Sequence, residues 1–128
     1  LTHGILRGAM NAYGQCFPNY HYEEIIRLVA MYQKAGLQNP GVIIDTNHAN
    51  SGKHYKEQPR IAREIMHSLR ESDLIKNLVK GLLIESYLVE GRAEIGSQEY
   101  GQSLTDPCLG WPASQRLILE IADAYGKL

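Results

Sequence analysis

Three short apolar runs recur along the chain: Gly4-Ile5-Leu6, Val42-Ile43-Ile44 and Leu82-Leu83-Ile84. Each has the length of a strand, and each is followed by a pattern of helical period. After the first, Tyr22 to Ala35 places Ile25, Ile26, Val29 and Tyr32 on one face, with Gly36 as the stop. After the second, Ile61, Ala62, Ile65, Met66 and Leu69 trace a stripe, and Pro59 sits near the helix start, where proline is tolerated. Leu74, Ile75, Leu78 and Val79 predict a shorter helical segment leading into the third strand. A polar, glycine-bearing stretch from Glu90 to Gly110 then precedes Pro112 and a last helix with Leu117, Ile118, Ile121 and Tyr125 inward. The order is β-α-β-α-β-α, with no repeat beyond the architectural one and nothing that reads as a linker.

Strands that are apolar throughout, rather than alternating, predict a parallel sheet buried on both faces of an α/β fold. Three strands do not finish such a sheet. Both outer strands would present unpaired backbone groups, so further chain or another copy is expected to complete it.

Composition narrows the function classes. The 128 residues make one domain at most, and the 44% hydrophobic share is enough to bury a core. A formal net charge of -1 offers no electrostatic footprint for nucleic acid or an acidic membrane. No apolar run approaches the roughly 18 residues of a membrane span, and Leu1-Thr2-His3-Gly4-Ile5 lacks the layout of a signal peptide. A cytoplasmic location is expected, with no nucleic-acid or membrane partner. Cys16 and Cys108 cannot make a disulfide framework and read as two partly buried thiols, so any special role for either would be chemical. The start at Leu1, without a methionine and directly before a strand, suggests a piece of a longer polypeptide.

Chemistry gathers after each strand. Arg7-Gly8 follows the first, Asp45-Thr46-Asn47-His48-Ala49-Asn50 the second, and Glu85-Ser86 the third. In parallel α/β folds the carboxyl ends of the strands share one face, where active sites are built, so Arg7, His48 and Glu85 should converge. A histidine and a carboxylate at such a rim suit a divalent metal, and Asp106 in the following loop offers another oxygen. Blander readings stand beside each. A lone histidine near a strand end is often only hydrogen-bonded; Asp106 before Pro107 is a turn residue by composition. Arg7 could be an ion-pair partner as well as a phosphate fork, and Lys53 and Lys56 read as solvated charges. Glu85 is harder to dismiss, because a carboxylate extending an apolar run needs a cation or hydrogen bonds to offset desolvation.

Longer strings sharpen this picture. Ile5-Leu6-Arg7-Gly8, Pro18-Asn19-Tyr20, Ile44-Asp45-Thr46-Asn47-His48-Ala49-Asn50-Ser51-Gly52-Lys53, Ile84-Glu85-Ser86-Tyr87-Leu88-Val89-Glu90-Gly91 and Tyr100 to Trp111, which contains Thr105-Asp106-Pro107-Cys108-Leu109-Gly110, occur in this order over nearly the whole chain. Together they resemble the type I family of 3-deoxy-D-arabino-heptulosonate-7-phosphate (DAHP) synthases. The resemblance implies that residues 1–128 are the carboxyl-terminal part of a single TIM-barrel domain, its last three βα units, incomplete in isolation. It implies a parent enzyme of the shikimate pathway that joins phosphoenolpyruvate to erythrose 4-phosphate and releases phosphate. It implies that His48, Glu85 and Asp106 are metal ligands and that Arg7 contacts a substrate phosphate. By the same resemblance Asp106 and Lys53 would be the catalytic residues, Asp106 also bonding a substrate hydroxyl and Lys53 with the Asn50 amide supporting the site. The ion would be manganese, iron, cobalt or zinc, and a homo-oligomer is expected.

Departures from the pattern matter too. The family's fourth ligand, a cysteine in a Gly-Pro-Cys context, is absent; Cys16 lies between Gln15 and Phe17, in a segment that reads as a loop. The Lys-Pro-Arg-Thr type motif that holds substrate phosphates is also absent. Gly8 to Phe17 is longer than the usual glycine loop, and Asn47 stands where serine is common. Two alternatives follow: the chain by itself is a non-catalytic, self-associating barrel fragment that at most binds metal, or the parent is the related synthase acting on arabinose 5-phosphate. The Thr105 to Trp111 segment favours the heptulosonate enzyme.

Overall fold

The computed structural model describes residues 2–97 and 99–128; Leu1, the boundary noted above, lies outside them. The chain forms β1 (Gly4–Leu6), a small antiparallel hairpin of β2 (Ala9–Met10) and β3 (Cys16–Phe17), helix α1 (Tyr22–Ala35) and β4 (Val42–Asp45). Helices α2 (Gln58–Glu71) and α3 (Asp73–Leu78) lead into β5 (Val79–Leu83). A parallel pair, β6 (Val89–Arg92) and β7 (Gln102–Ser103), precedes helix α4 (Trp111–Tyr125). It is an α/β fold around a parallel sheet of order β1-β4-β5, in which Ile5 pairs with Ile43 and Ile44 with Leu82.

Local signals account for the helix ends. Gly36 adopts a left-handed conformation at the end of α1 and its N–H returns to the Gln33 and Tyr32 carbonyls, a termination that costs glycine nothing. Pro59 lies in the first turn of α2. Ser72 caps α3 by accepting from the Ile75 N–H. The short α3 stops at Leu78, and Val79, expected in the helix, is the first residue of β5. The third strand therefore starts three residues earlier than its apolar run, and Ile84 falls beyond it.

The core corrects the expectation of a sheet buried on both faces. Side chains alternate across a strand, and Leu6, Val42, Ile44 and Leu82 pack with Ile25, Ile61, Ile65 and Ile75 of the helices. Ile5, Ile43 and Leu83, on the opposite face, join no core cluster among the described residues, and Ile5 is 49% exposed. The helices cover one side of the sheet only. The same asymmetry corrects α4: Leu117 is buried, but Ile118 and Tyr125, expected inward, are 50% and 62% exposed. They line an open groove beside Val79, Lys80, Gly81 and Leu82, along the β5 edge that no strand of the described residues pairs.

Two further differences concern loops. The Cys16 segment is not a loop but the return strand of a hairpin, with Met10 opposite Cys16. The stretch Glu90 to Gly110 is folded back along the end of β5: Ser86 bridges Leu109 in parallel, and Gly91 bridges Cys108. The N–H of Tyr87 donates to Leu109 and that of Leu109 donates to Glu85. This short fourth segment carries Asp106 toward the rim. Both cysteines are free, Cys16 partly exposed and Cys108 buried. No helix of the described residues is long and apolar enough to cross a membrane.

Candidate metal centre

Strand pairing between β4 and β5 ends at Asp45 opposite Leu83. Beyond that point the two chains need other partners for their backbone groups, and side chains supply them. Gln58, fully buried at the start of α2, accepts from the Glu85 N–H at 2.8 Å and donates to the Glu85 carbonyl at 3.0 Å. Its side-chain oxygen also lies 3.0 Å from the Thr46 hydroxyl, which alternatively reaches the Leu83 carbonyl at 2.9 Å. The Gln58 amide thus takes the place of a strand neighbour and fixes the backbone from which the Glu85 carboxylate projects.

The turn after β4 is built with comparable care. His48 and Lys53 both have positive φ, 43° and 65°, a conformation that non-glycine residues hold only when their surroundings impose it. Here the Lys53 N–H donates to the His48 carbonyl at 2.8 Å and the Ser51 N–H to the Asn47 carbonyl at 3.1 Å. Asp45, 2% exposed, accepts the Asn47 N–H on Oδ1 at 2.8 Å, and its Oδ2 lies 2.7 Å from His48 Nδ1. Asn50 ties the turn to the first strand, donating to the carbonyls of Leu6 and Asp45 while accepting from the Asn19 N–H.

These supports turn three donors inward. His48 Nε2 faces Glu85 Oε1 at 3.2 Å and Asp106 Oδ2 at 3.9 Å, and one ligand atom from each of the three residues lies within 4.8 Å of the others. Donors held about 2.0 to 2.2 Å from a shared first-row ion sit roughly 3 to 4.4 Å from one another, a range that includes both distances from His48 Nε2. Charge points the same way. Among the described residues the one lysine or arginine paired with Asp45, Glu85 or Asp106 is Lys53, whose exposed ammonium is 4.0 Å from Asp106 Oδ1, a formal excess of two negative charges beside a neutral His48. Asn47 Nδ2 donates to Glu85 Oε2 at 2.8 Å while the Asn47 oxygen accepts from Ser51, so Oε1 is the Glu85 oxygen left for the centre.

Other predicted residues fall outside this cluster. Arg7 is exposed and makes no ion pair or hydrogen bond among the described residues, but its backbone is bracketed against the His48 turn. The preceding Leu6 carbonyl accepts from Asn50, and the following Gly8 N–H donates to Asn19 at 2.8 Å. Lys56 pairs with Glu90 at 2.9 Å; that hydrogen bond and charge hold its ammonium more firmly protonated than usual. Burial pushes the Cys108 thiol up, with the Ser103 side chain offsetting part of the rise. Sequence reasoning gave Asp45 and Gln58 no role. For Asp45 the signal was the one used for Glu85, a carboxylate extending an apolar run. For Gln58 it was a polar residue in register with Ile61, Ala62 and Ile65 on a buried stripe.

The match to known proteins now bears on this geometry. The model of the DAHP synthetase I family matches residues 1–118. The chain belongs to that family. Among relatives, it is 38% identical over 125 residues to phospho-2-dehydro-3-deoxyheptonate aldolase of Haemophilus influenzae, covering 95% of this chain and 32% of that protein. The phenylalanine-inhibited aldolase of Saccharomyces cerevisiae is 34% identical over 128 residues, covering 93% of this chain and 32% of its own length. The structure of the Francisella tularensis SCHU S4 aldolase superposes with a TM-score of 0.78 at 33% identity, over 94% of this chain and 33% of that one. This member of the DAHP synthetase I family therefore spans about a third of the length of the relatives it matches.

Proposed function

We propose that residues 1–128 are the carboxyl-terminal part of a single (β/α)8 domain, contributing its last βα units to a DAHP synthase. That enzyme condenses phosphoenolpyruvate with erythrose 4-phosphate to DAHP and phosphate, the first step of the shikimate pathway. The observation that carries the reading is the convergence of His48, Glu85 and Asp106 on one point at the carboxyl ends of parallel strands. A barrel is favoured over a doubly wound sheet because the strand order does not reverse and the helices cover one face. The uncovered face with Ile5 and Ile43 is the face a closed barrel buries inside. A cytoplasmic location and homo-oligomeric assembly belong to the same proposal.

In this reading His48 Nε2, Glu85 Oε1 and Asp106 hold a divalent ion. Manganese, iron, cobalt and zinc all suit one imidazole and two carboxylates. When bound, the ion supplies Lewis acidity toward the aldehyde oxygen of erythrose 4-phosphate. The chain's own residues bind and orient. Arg7, held beside the His48 turn with its guanidinium in solvent, is suited to a substrate phosphate. Asp106, more exposed than His48 or Glu85, accepts a hydrogen bond from a substrate hydroxyl, and Lys53 keeps that carboxylate oriented.

The test is phosphate release from phosphoenolpyruvate and erythrose 4-phosphate with manganese present. The chain alone should give none. Adding the remaining two-thirds of a relative such as the Haemophilus influenzae aldolase should restore release, and His48→Ala or Glu85→Ala should abolish it. Release that survives both substitutions would remove the basis for the proposal, and turnover by the chain unaided would overturn its status as part of a barrel.

A further inference from the structure

Resting on the metal-binding reading, we infer that Asp45 is a positioning residue that sets the tautomer of His48. An ionised carboxylate only accepts hydrogen bonds. Asp45 is almost fully buried, and each of its oxygens has one donor: the Asn47 N–H at 2.8 Å on Oδ1 and His48 Nδ1 at 2.7 Å on Oδ2. Of the ring's carboxylate contacts only that of Nδ1 with Asp45 has hydrogen-bond geometry, the closer of the Nε2 contacts being 3.2 Å to Glu85, so the proton of a neutral His48 sits on Nδ1. That leaves the Nε2 lone pair facing Glu85 Oε1 and Asp106 Oδ2, neither of which donates when ionised. Both ends of the imidazole are therefore assigned, one to Asp45 and one to a cation. Carboxylates that accept from the outer ring nitrogen of a metal-bound histidine serve in this way generally.

The arrangement is specific because both Asp45 contacts come from the same four-residue turn. Oδ1 fixes the backbone of Asn47, the residue that enters the left-handed conformation at His48, while Oδ2 fixes the ring. One buried side chain thus sets the position of the imidazole and which of its nitrogens is bare. Asp45→Asn separates these roles, as the same exchange does where a carboxylate orients a catalytic histidine. The amide oxygen still accepts from Asn47, but the amide nitrogen can only donate to the ring, which selects the opposite tautomer with a proton on Nε2.

The experiment is a two-bond proton–nitrogen correlation spectrum of histidine-labelled, metal-free chain at about pH 8.5, roughly two units above the ordinary histidine value. His48→Gln assigns the signal. The wild-type chain should show the Nδ1–H form, and Asp45→Asn the Nε2–H form. Cobalt(II) affinity, read from the d–d absorption band, should fall by about 10- to 100-fold in Asp45→Asn. Asp45→Glu, which keeps a carboxylate, should retain the Nδ1–H form and recover part of that affinity. An Nε2–H form in the wild type, or the same tautomer in wild type and Asp45→Asn, would overturn the inference. The wild-type spectrum decides even where a substituted chain fails to fold. Because the tautomer is read without metal, failure here is distinguishable from failure of the metal-binding reading.

Discussion

Replacing Gln58 by methionine removes the amide that substitutes for strand pairing beyond β5 while nearly conserving volume. The cost follows from which partners are left without a hydrogen bond. Thr46 keeps its alternative acceptor, the Leu83 carbonyl at 2.9 Å, and the Glu85 carbonyl keeps the Leu109 N–H at 3.0 Å. The Glu85 N–H loses its only partner among the described residues. One orphaned, partly buried donor costs about 1 to 3 kcal/mol, so a loss of about 2 kcal/mol is expected in urea unfolding at neutral pH. Gln58→Glu should be worse, because it retains an acceptor for that N–H but places an unpaired carboxylate in a fully buried site beside the Glu85 carbonyl. Loss below about 0.5 kcal/mol in Gln58→Met, the scatter of ordinary surface substitutions, would refute this bookkeeping. So would a Gln58→Glu chain more stable than Gln58→Met.

Three further outcomes follow. Gly8→Ala should lower the urea midpoint by an amount equivalent to more than about 1 to 2 kcal/mol, because φ is +72° and the new Cβ would lie 2.8 Å from the Ala49 and Asn50 backbone; an unchanged midpoint would contradict the close approach of the Arg7 loop to the His48 turn. Asn47→Ala should free Glu85 Oε2 and weaken manganese binding by about tenfold, in the range of lost second-sphere partners, and equal affinity would show that Asn47 does not select the Glu85 oxygen. The native Cys108 thiol, raised by burial, holds its proton longer than in the unfolded chain. Its contribution to stability is therefore kept below the ordinary value of 9.0 and is lost as pH rises through the higher native value. Urea unfolding above pH 9 should show a steeper loss for wild type than for Cys108→Ala, and parallel profiles would contradict it.

Much of the scaffold is visible in hydrophobic period alone. Ile61, Ala62, Ile65, Met66 and Leu69 form the buried stripe of α2 as their spacing indicates, and Gly36 stops α1 because a left-handed residue is needed there. What period cannot reveal is who covers a face. Ile5 and Ile43 are as apolar as Ile44, yet only Ile44 has helices over it. Ile118 and Tyr125 continue the stripe of Leu117 on α4 but look onto an unpaired strand edge. Val79 sits where a helical and an extended pattern overlap, and β-branching favours the strand. At the rim, strand ends single out His48 and Glu85, whereas Asp106 depends on a loop path through Gly91, Cys108 and Leu109 that leaves no periodic trace. Gln58 is hidden because folding alone brings its partner Glu85 close, whereas Asp45 bonds Asn47 and His48 within one turn whose shape no period reveals.

The central claim is that His48, Glu85 and Asp106 grip one cation together, and paramagnetic resonance of manganese(II) added to this chain tests it most directly. The six-line signal of free manganese should diminish up to one equivalent of a saturable site. His48→Ala and Glu85→Ala should each restore the free signal while circular dichroism remains that of the folded chain. A wild-type chain that leaves the free signal untouched, or folded His48→Ala and Glu85→Ala chains that bind as the wild type does, would contradict the account.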